Sequence, residues 1–195
     1  CEHLESCQVI AAVSAISGEG KTNVAAQLAV SLCHAGSQPV LLIDGDMRSA
    51  EVHELLGLAP RPGLADVLAG DCPVAEAVAR PEGLELDVLP AGGAEFDPHE
   101  LLSRNRFENL INELKGSYSY IVIDTPPLLA VGDGLVMARA ADGTLLCGRR
   151  DHSRTSEMRT ALERLAMVGV RPVGTVISGL PRGSRQAARY GMDRY

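Results

Sequence analysis

The sequence predicts an α/β fold, a mainly parallel sheet with helices on both faces, and three observations carry that expectation. Short continuous apolar runs at residues 40–43 and 120–123 have the character of strands buried on both faces. Between such runs the chain shows helical spacing, as in Met158, Ala161, Leu162 and Leu165 at i, i+3, i+4 and i+7. The alternation of strand and helix runs through the chain without an internal repeat or a low-complexity linker. With 195 residues, 46% of them apolar, and a mean hydropathy of +0.06, the chain suits one soluble globular domain with a sizeable core.

Taken in order, residues 8–15 form the first predicted strand, and a helix follows from about residue 22 to His34. Gly36 stands where glycine is favoured after a helix end. Residues 40–43 make the second strand. Three short helical pieces fit residues 51–56, 64–69 and 74–79, punctuated by Pro60, Pro62, Gly70 and Pro73. A strand is expected over residues 84–89. A helix then starts with Asp97 as N-cap, Pro98 at its first position and Glu100 at its third, and its apolar stripe continues through Phe107, Leu110, Ile111 and Leu114 to Gly116. Further strands are predicted at 120–123, 144–147 and 173–177, with helices over 133–140 and around 158–165. The expected division is one domain over residues 1–180 and a mobile tail over 181–195 that carries Tyr190 and Tyr195.

Three segments carry chemistry. AISGEGKT at residues 15–22 has the A-x-x-x-x-G-K-T spacing of a phosphate-binding loop between a strand and a helix, with Ala15 in place of the usual first glycine. The backbone N–H groups of such a loop, here Ser17, Gly18, Glu19 and Gly20, turn inward, and the helix adds its positive N-terminal end. Lys21 then lies along the β- and γ-phosphates of a nucleotide, and the Thr22 hydroxyl helps to hold Mg²⁺. The other two segments follow strands, where ligands bind in open α/β sheets: Asp44-Gly45-Asp46 after residues 40–43, and Asp124 after residues 120–123. Mg²⁺ needs only one or two carboxylates besides phosphates and water. Asp124 therefore reads as a metal residue, and the Asp44/Asp46 pair offers one carboxylate for the metal and one as a base.

The remaining composition narrows the field. A net charge of −7 argues against nucleic acid as a principal partner. Of the basic residues, sixteen are Arg and only Lys21 and Lys115 are Lys. Cysteines at 1, 7, 33, 72 and 147 have neither metal-site nor redox spacing, which fits a reduced cytosolic setting, with Cys33 and Cys147 expected in the core. Histidines 3, 34, 53, 99 and 152 show no metal spacing. No apolar run approaches the eighteen residues a membrane span needs. The chain opens on Cys1 without an initiator Met or a signal peptide and reads as a piece of something longer.

The combined pattern resembles the bacterial tyrosine kinases of the Wzc/CapB type, which accompany capsule and exopolysaccharide synthesis. AISGEGKT at 15–22 matches their Walker A, VLLIDGDMR at 40–48 their Walker A′ and IVIDTPP at 121–127 their Walker B. LPAGG at 89–93, PHELL at 98–102 and ADGTLLCGR at 141–149 are weaker matches in the same order. The resemblance implies a three-layer P-loop NTPase fold and an ATP- and Mg²⁺-dependent protein-tyrosine kinase. It implies that Lys21 and Thr22 hold phosphates and metal, that Asp44 and Asp124 support the metal, and that Asp46 activates a tyrosine hydroxyl. It also implies phosphorylation of tail tyrosines, here Tyr190 and Tyr195, between neighbouring subunits of a homo-oligomer. A transmembrane activator or polysaccharide co-polymerase, fused upstream or separate, would hold the chain in the cytoplasm at the inner face of the membrane.

The sequence departs from that family in three respects. Its tail holds two tyrosines rather than a dense cluster; residues 1–7 lack the Arg of an oligomerisation motif; and Ser178 stands where the family has an Asn near the adenine. Ser can hydrogen-bond but cannot present the paired donor and acceptor of an amide. Two other readings stay open: a Par- or Min-like switch ATPase, against which Ile16 stands where those proteins carry a lysine, and a catalytically weak nucleotide-dependent regulator of polysaccharide machinery. No Asn-Lys-x-Asp guanine motif occurs.

Overall fold

The first strand, β1 (Val9–Ser14), is walled in on both sides, and the rest of the structure is arranged about it. The computed structural model describes residues 7–180 except residues 37, 94 and 104; Tyr190 and Tyr195 lie outside the described residues. After β1 come α1 (Lys21–Ala35), β2 (Val40–Asp44), α2 (Val52–Leu56), α3 (Leu64–Ala69), α4 (Val74–Ala77) and β3 (Asp87–Leu89). The chain continues through α5 (Pro98–Leu101), α6 (Arg106–Leu114), β4 (Tyr120–Asp124), α7 (Asp133–Ala140), β5 (Gly143–Arg149), α8 (Thr155–Met167) and β6 (Gly174–Ser178).

The strands form one six-stranded sheet in the order β3-β2-β4-β1-β5-β6, with every neighbouring pair parallel. This is the expected architecture, and it explains the continuous apolar runs. Leu41 and Ile43 of β2 face one core with Phe107, Ile111, Met137 and Leu165, whereas Val40 and Leu42 face a second with Ala25, Ala26 and Ala29. A strand covered on both faces has no polar side to show. The three alanines form the buried face of α1, and their small side chains let that helix lie close on the sheet.

The structure differs from the sequence expectation at five places. The helix predicted from Pro98 through Leu114 is two helices, separated near Asn105, whose φ is +58°. Continuing the Phe107–Leu110–Ile111–Leu114 stripe backwards at 3.6 residues per turn would bury Glu100 and Ser103 and expose Leu101 and Leu102. The break rephases the chain so that both leucines are buried, and Asn is among the few residues that tolerate the left-handed turn. The strand expected over residues 84–89 pairs with β2 only from Asp87. Its outer side meets Ala79 through two backbone hydrogen bonds with Val88, both 2.8 Å, and α4 accordingly stops at Ala77. Gly36 does follow α1, but in an extended conformation that any residue adopts. Cys147 is buried as expected, whereas Cys33 is half-buried at the surface of α1.

Candidate functional site

The order of strands puts the ends of β2, β4 and β1 side by side. Asp44 is the register partner of Asp124 across β2 and β4, and Asp124 in turn pairs with Ala12 of β1. The loop after β1 therefore opens beside two acidic strand ends, although 80 residues separate Asp44 from Asp124 in sequence (124 − 44 = 80). This is the crevice at which a chain reversing its strand order binds ligands.

The loop itself has the shape its glycines predict. Gly18 and Gly20 take φ of +79° and +84°, conformations that disfavour side-chain-bearing residues, and α1 starts at the next residue with Lys21. Lys21 and Thr22 are both buried. The Lys21 ammonium lies 3.2 Å from Asp46 Oδ2 and 3.6 Å from Asp124 Oδ1. Ala15 is wholly buried beneath the loop. All three aspartates are at most 4% exposed.

Their roles in the resting geometry are unequal. Asp44 spends both oxygens on backbone: Oδ1 accepts from Asp46 N–H at 3.2 Å and Oδ2 from Val52 N–H at 3.1 Å, which shapes the turn and seats α2. Asp46 holds Lys21 and accepts from Ser49 N–H at 3.2 Å. Asp124 is the least satisfied, since its buried Oδ1 has no hydrogen-bond partner and only the longer ion-pair contact to Lys21. The backbone is tight here as well: Gly45 N–H donates to Asp124 O at 2.8 Å.

Electrostatically the cluster is short of positive charge. Burial, and then the neighbouring Asp124, push Asp44 up to about 7 against the two N–H groups it accepts. Burial raises Asp124 to about 6 even though Lys21 lowers it. For Lys21, burial disfavours the ammonium, but Asp124 and Asp46 outweigh it and hold the group above its ordinary range. A divalent cation would relieve this imbalance, and the orphaned Asp124 Oδ1 supplies a hard oxygen for it. Among the described residues no group of three His, Cys, Asp or Glu side chains could hold a metal alone. Mg²⁺ binds few carboxylates and completes its octahedron with phosphate and water. The residues present thus fit a Mg²⁺–nucleotide, which Thr22 and Asp124 would hold, with Asp44 shaping the turn behind them.

Of the remaining sequence candidates, Ser17, Gly18, Glu19, Gly20 and Ser178 converge on the loop. The Ser178 hydroxyl lies 3.5 Å from Glu19 O and 3.3 Å from Gly148 O, which places it against the back of the loop. Tyr190 and Tyr195 fall outside the described residues. Sequence reasoning missed the partners that the fold brings from far away. Arg48 bridges Asp133 (3.0 Å) and Asp97 (3.7 Å), tying the segment after β2 to the starts of α7 and α5. His152 and Ser153 reach the loop from more than 130 residues on. Position alone signals none of these, although Asp133 and Asp97, acids at helix starts, were visible.

Comparison with known proteins agrees with the geometry. A family model described as "AAA domain" matches residues 7–147. The chain is 37% identical over 177 residues to the tyrosine-protein kinase wzc of Salmonella typhimurium, covering 90% of this chain and 24% of that protein. It is 36% identical over 166 residues to the tyrosine-protein kinase YwqD of Bacillus subtilis, covering 85% of this chain and 70% of the relative. Among solved structures, the kinase domain of the Escherichia coli tyrosine kinase ETK superposes with a TM-score of 0.85 at 30% identity, over 91% of this chain and 70% of that one. The chain spans about a quarter of the length of the first relatives it matches. Its three Walker segments, all-parallel six-stranded sheet and likeness to both long and short relatives place this chain in the bacterial tyrosine-kinase family, with the P-loop NTPase fold.

Proposed function

We propose that this chain is the catalytic domain of an ATP- and Mg²⁺-dependent protein-tyrosine kinase that phosphorylates tyrosines in its own C-terminal segment and thereby regulates capsular or exopolysaccharide synthesis or export. The observation that carries the reading is Lys21, held among three buried aspartates at the ends of two strands adjoining the loop that bears it. Bound Mg²⁺–ATP supplies the phosphoryl group and the cation that offsets its charge. Lys21 and the N–H groups of Ser17 to Gly20 bind and orient the phosphates. Thr22 and Asp124 hold the metal, and Asp44 supports it through the turn that it shapes. Asp46 accepts the proton of the attacking tyrosine hydroxyl.

Residues 1–180 form the catalytic unit in this reading, and residues 181–195 the acceptor segment, with Tyr190 and Tyr195 as the acceptors. Ser178 borders the nucleotide at its base end. Transfer runs between neighbouring copies in a homo-oligomer, at the inner face of the membrane, under a transmembrane activator or polysaccharide co-polymerase. No helix among the described residues is long and apolar enough to cross a membrane. Nucleic acid is not a partner.

The test is phosphotyrosine detection after incubation with ATP and Mg²⁺, repeated with the activator's cytoplasmic segment fused or added. Wild type gains phosphotyrosine, whereas Lys21→Met and the double variant Tyr190→Phe/Tyr195→Phe do not. ATP hydrolysis without phosphotyrosine under both conditions would sink the kinase reading and favour a switch ATPase.

A further inference from the structure

An acid inside a phosphate-binding loop is a hazard, because its charge opposes the anion the loop must hold. Glu19 is such a residue, and it is only 1% exposed. Its carboxylate is occupied. Oε2 accepts from Ile16 N–H at 3.0 Å, and Oε1 accepts from the Ser153 hydroxyl. Ser153 lies in the turn between β5 and α8. Its Oγ also accepts from Arg149 N–H at 2.7 Å, and its own N–H donates to Arg149 O at 2.8 Å, so the hydroxyl links the end of β5 to the loop.

Three further groups meet the same loop, and they meet its carbonyls. His152 Nε2 lies 2.9 Å from Ser17 O, Arg149 Nη1 3.5 Å from Gly18 O, and Ser178 Oγ 3.5 Å from Glu19 O. In a planar trans peptide the carbonyl of one residue and the N–H of the next point in opposite directions. Donors that hold the carbonyls of residues 17 and 18 outward, with the Ser178 hydroxyl shared between Glu19 O and Gly148 O (3.3 Å), therefore aim the N–H groups of Gly18 and Glu19 inward, at the place a phosphate occupies, and favour the same direction for that of Gly20. Space enforces the same arrangement: a Cβ on Gly18 would stand 3.2 Å from the His152 ring, and one on Gly20 3.2 Å from Ser178 Oγ.

We propose that the β5–α8 turn is a clamp on the back of the phosphate-binding loop, in which Ser153 and His152 are positioning residues that set nucleotide affinity by fixing the direction of the loop's N–H groups. Ser153 turns the Glu19 carboxylate away from the anion, and His152 anchors the first of the outward carbonyls. The proposal rests on the reading of residues 15–22 as a nucleotide-phosphate loop.

The test is calorimetric titration of the full chain with ADP and Mg²⁺, alongside the melting temperature without nucleotide. Ser153→Ala and His152→Ala each raise the dissociation constant about tenfold, the equivalent of one lost hydrogen bond in each case. Asp142→Asn, at the opposite end of the sheet, serves as the control for general destabilisation; it lowers the melting temperature and leaves the dissociation constant unchanged. Wild-type affinity in both clamp variants overturns the proposal, whatever their melting temperatures, as does an equal loss of affinity in the control. Failure of the kinase reading shows up separately, as nucleotide binding intact with no phosphotyrosine formed.

Discussion

Replacing Gly45 with alanine adds a methyl group where the turn after β2 meets the end of β4. The new Cβ would lie 2.7 Å from the backbone oxygen of Asp124, 2.5 Å from Met137 Sδ and 3.0 Å from its Cε. Met137 is a flexible side chain but fully buried, and the Asp124 carbonyl belongs to a strand paired on both sides. The turn must move instead, stretching the 2.8 Å hydrogen bond from Gly45 N–H to Asp124 O. Overpacking of this kind costs about 1–3 kcal/mol, and the weakened hydrogen bond adds about 1 kcal/mol. For a domain of this size the sum lowers the melting temperature by about 5–15 °C. The same shift carries Asp46 away from Lys21, and a displacement near 1 Å at such a group costs about a hundredfold in rate. Thermal melting by circular dichroism and nucleotide turnover at saturating ATP measure the two effects. A Gly45→Ala protein that melts and turns over as wild type would refute this account of the packing between the acidic turn and β4.

Two further predictions concern pH. Asp44 and Asp124 have folded values raised to about 7 and about 6, so they favour the folded state below the ordinary carboxylate range and that contribution is lost as pH rises toward 7. The nucleotide-free protein should therefore melt at lower temperature at pH 8 than at pH 5; Asp44→Asn should flatten that slope, and ADP with Mg²⁺ should reverse it, all read by thermal melting in a matched buffer series. A wild-type melting curve that does not move between pH 5 and 8 contradicts the charge imbalance. Asp142 has the opposite sign: burial pushes it up, but Lys115 (2.8 Å) and the N–H groups of Val9 and Gln8 outweigh burial and hold it below its usual range. Its contribution is present above the ordinary carboxylate value and disappears as pH falls below it, so Asp142→Asn should destabilise at pH 7 and converge with wild type in acid; an equal deficit at every pH would count against this pairing.

Much of the fold was legible because a doubly covered parallel sheet writes its strands as unbroken apolar runs, and residues 40–43 and 120–123 could hardly be read otherwise. The loop at 15–22 and the three aspartates were legible for a related reason: spacing and strand-end position are local properties, and the fold needed only to bring two strand ends beside β1. What escaped depends on distance or on phase. The break before α6 required setting Leu101 and Leu102 against the phase of Phe107 and Leu110, a conflict that a favourable N-cap at Asp97 concealed. The partners of Glu19 and Arg48 come from segments whose proximity is decided by the strand order, which no local pattern records. The contact of Ser178 with the loop's back is a product of β6 lying beside β5, and no local pattern signals it.

Transfer to tyrosine between copies is the central claim, and mixing two variants tests it most directly. Lys21→Met retains the acceptor tyrosines, whereas Tyr190→Phe/Tyr195→Phe retains the site; neither should label itself. Incubated together with ATP, Mg²⁺ and the activator segment, they should yield phosphotyrosine at Tyr190 or Tyr195 of the Lys21→Met copy, located by mass spectrometry. ATP consumed by the mixture with neither copy carrying phosphotyrosine would contradict it.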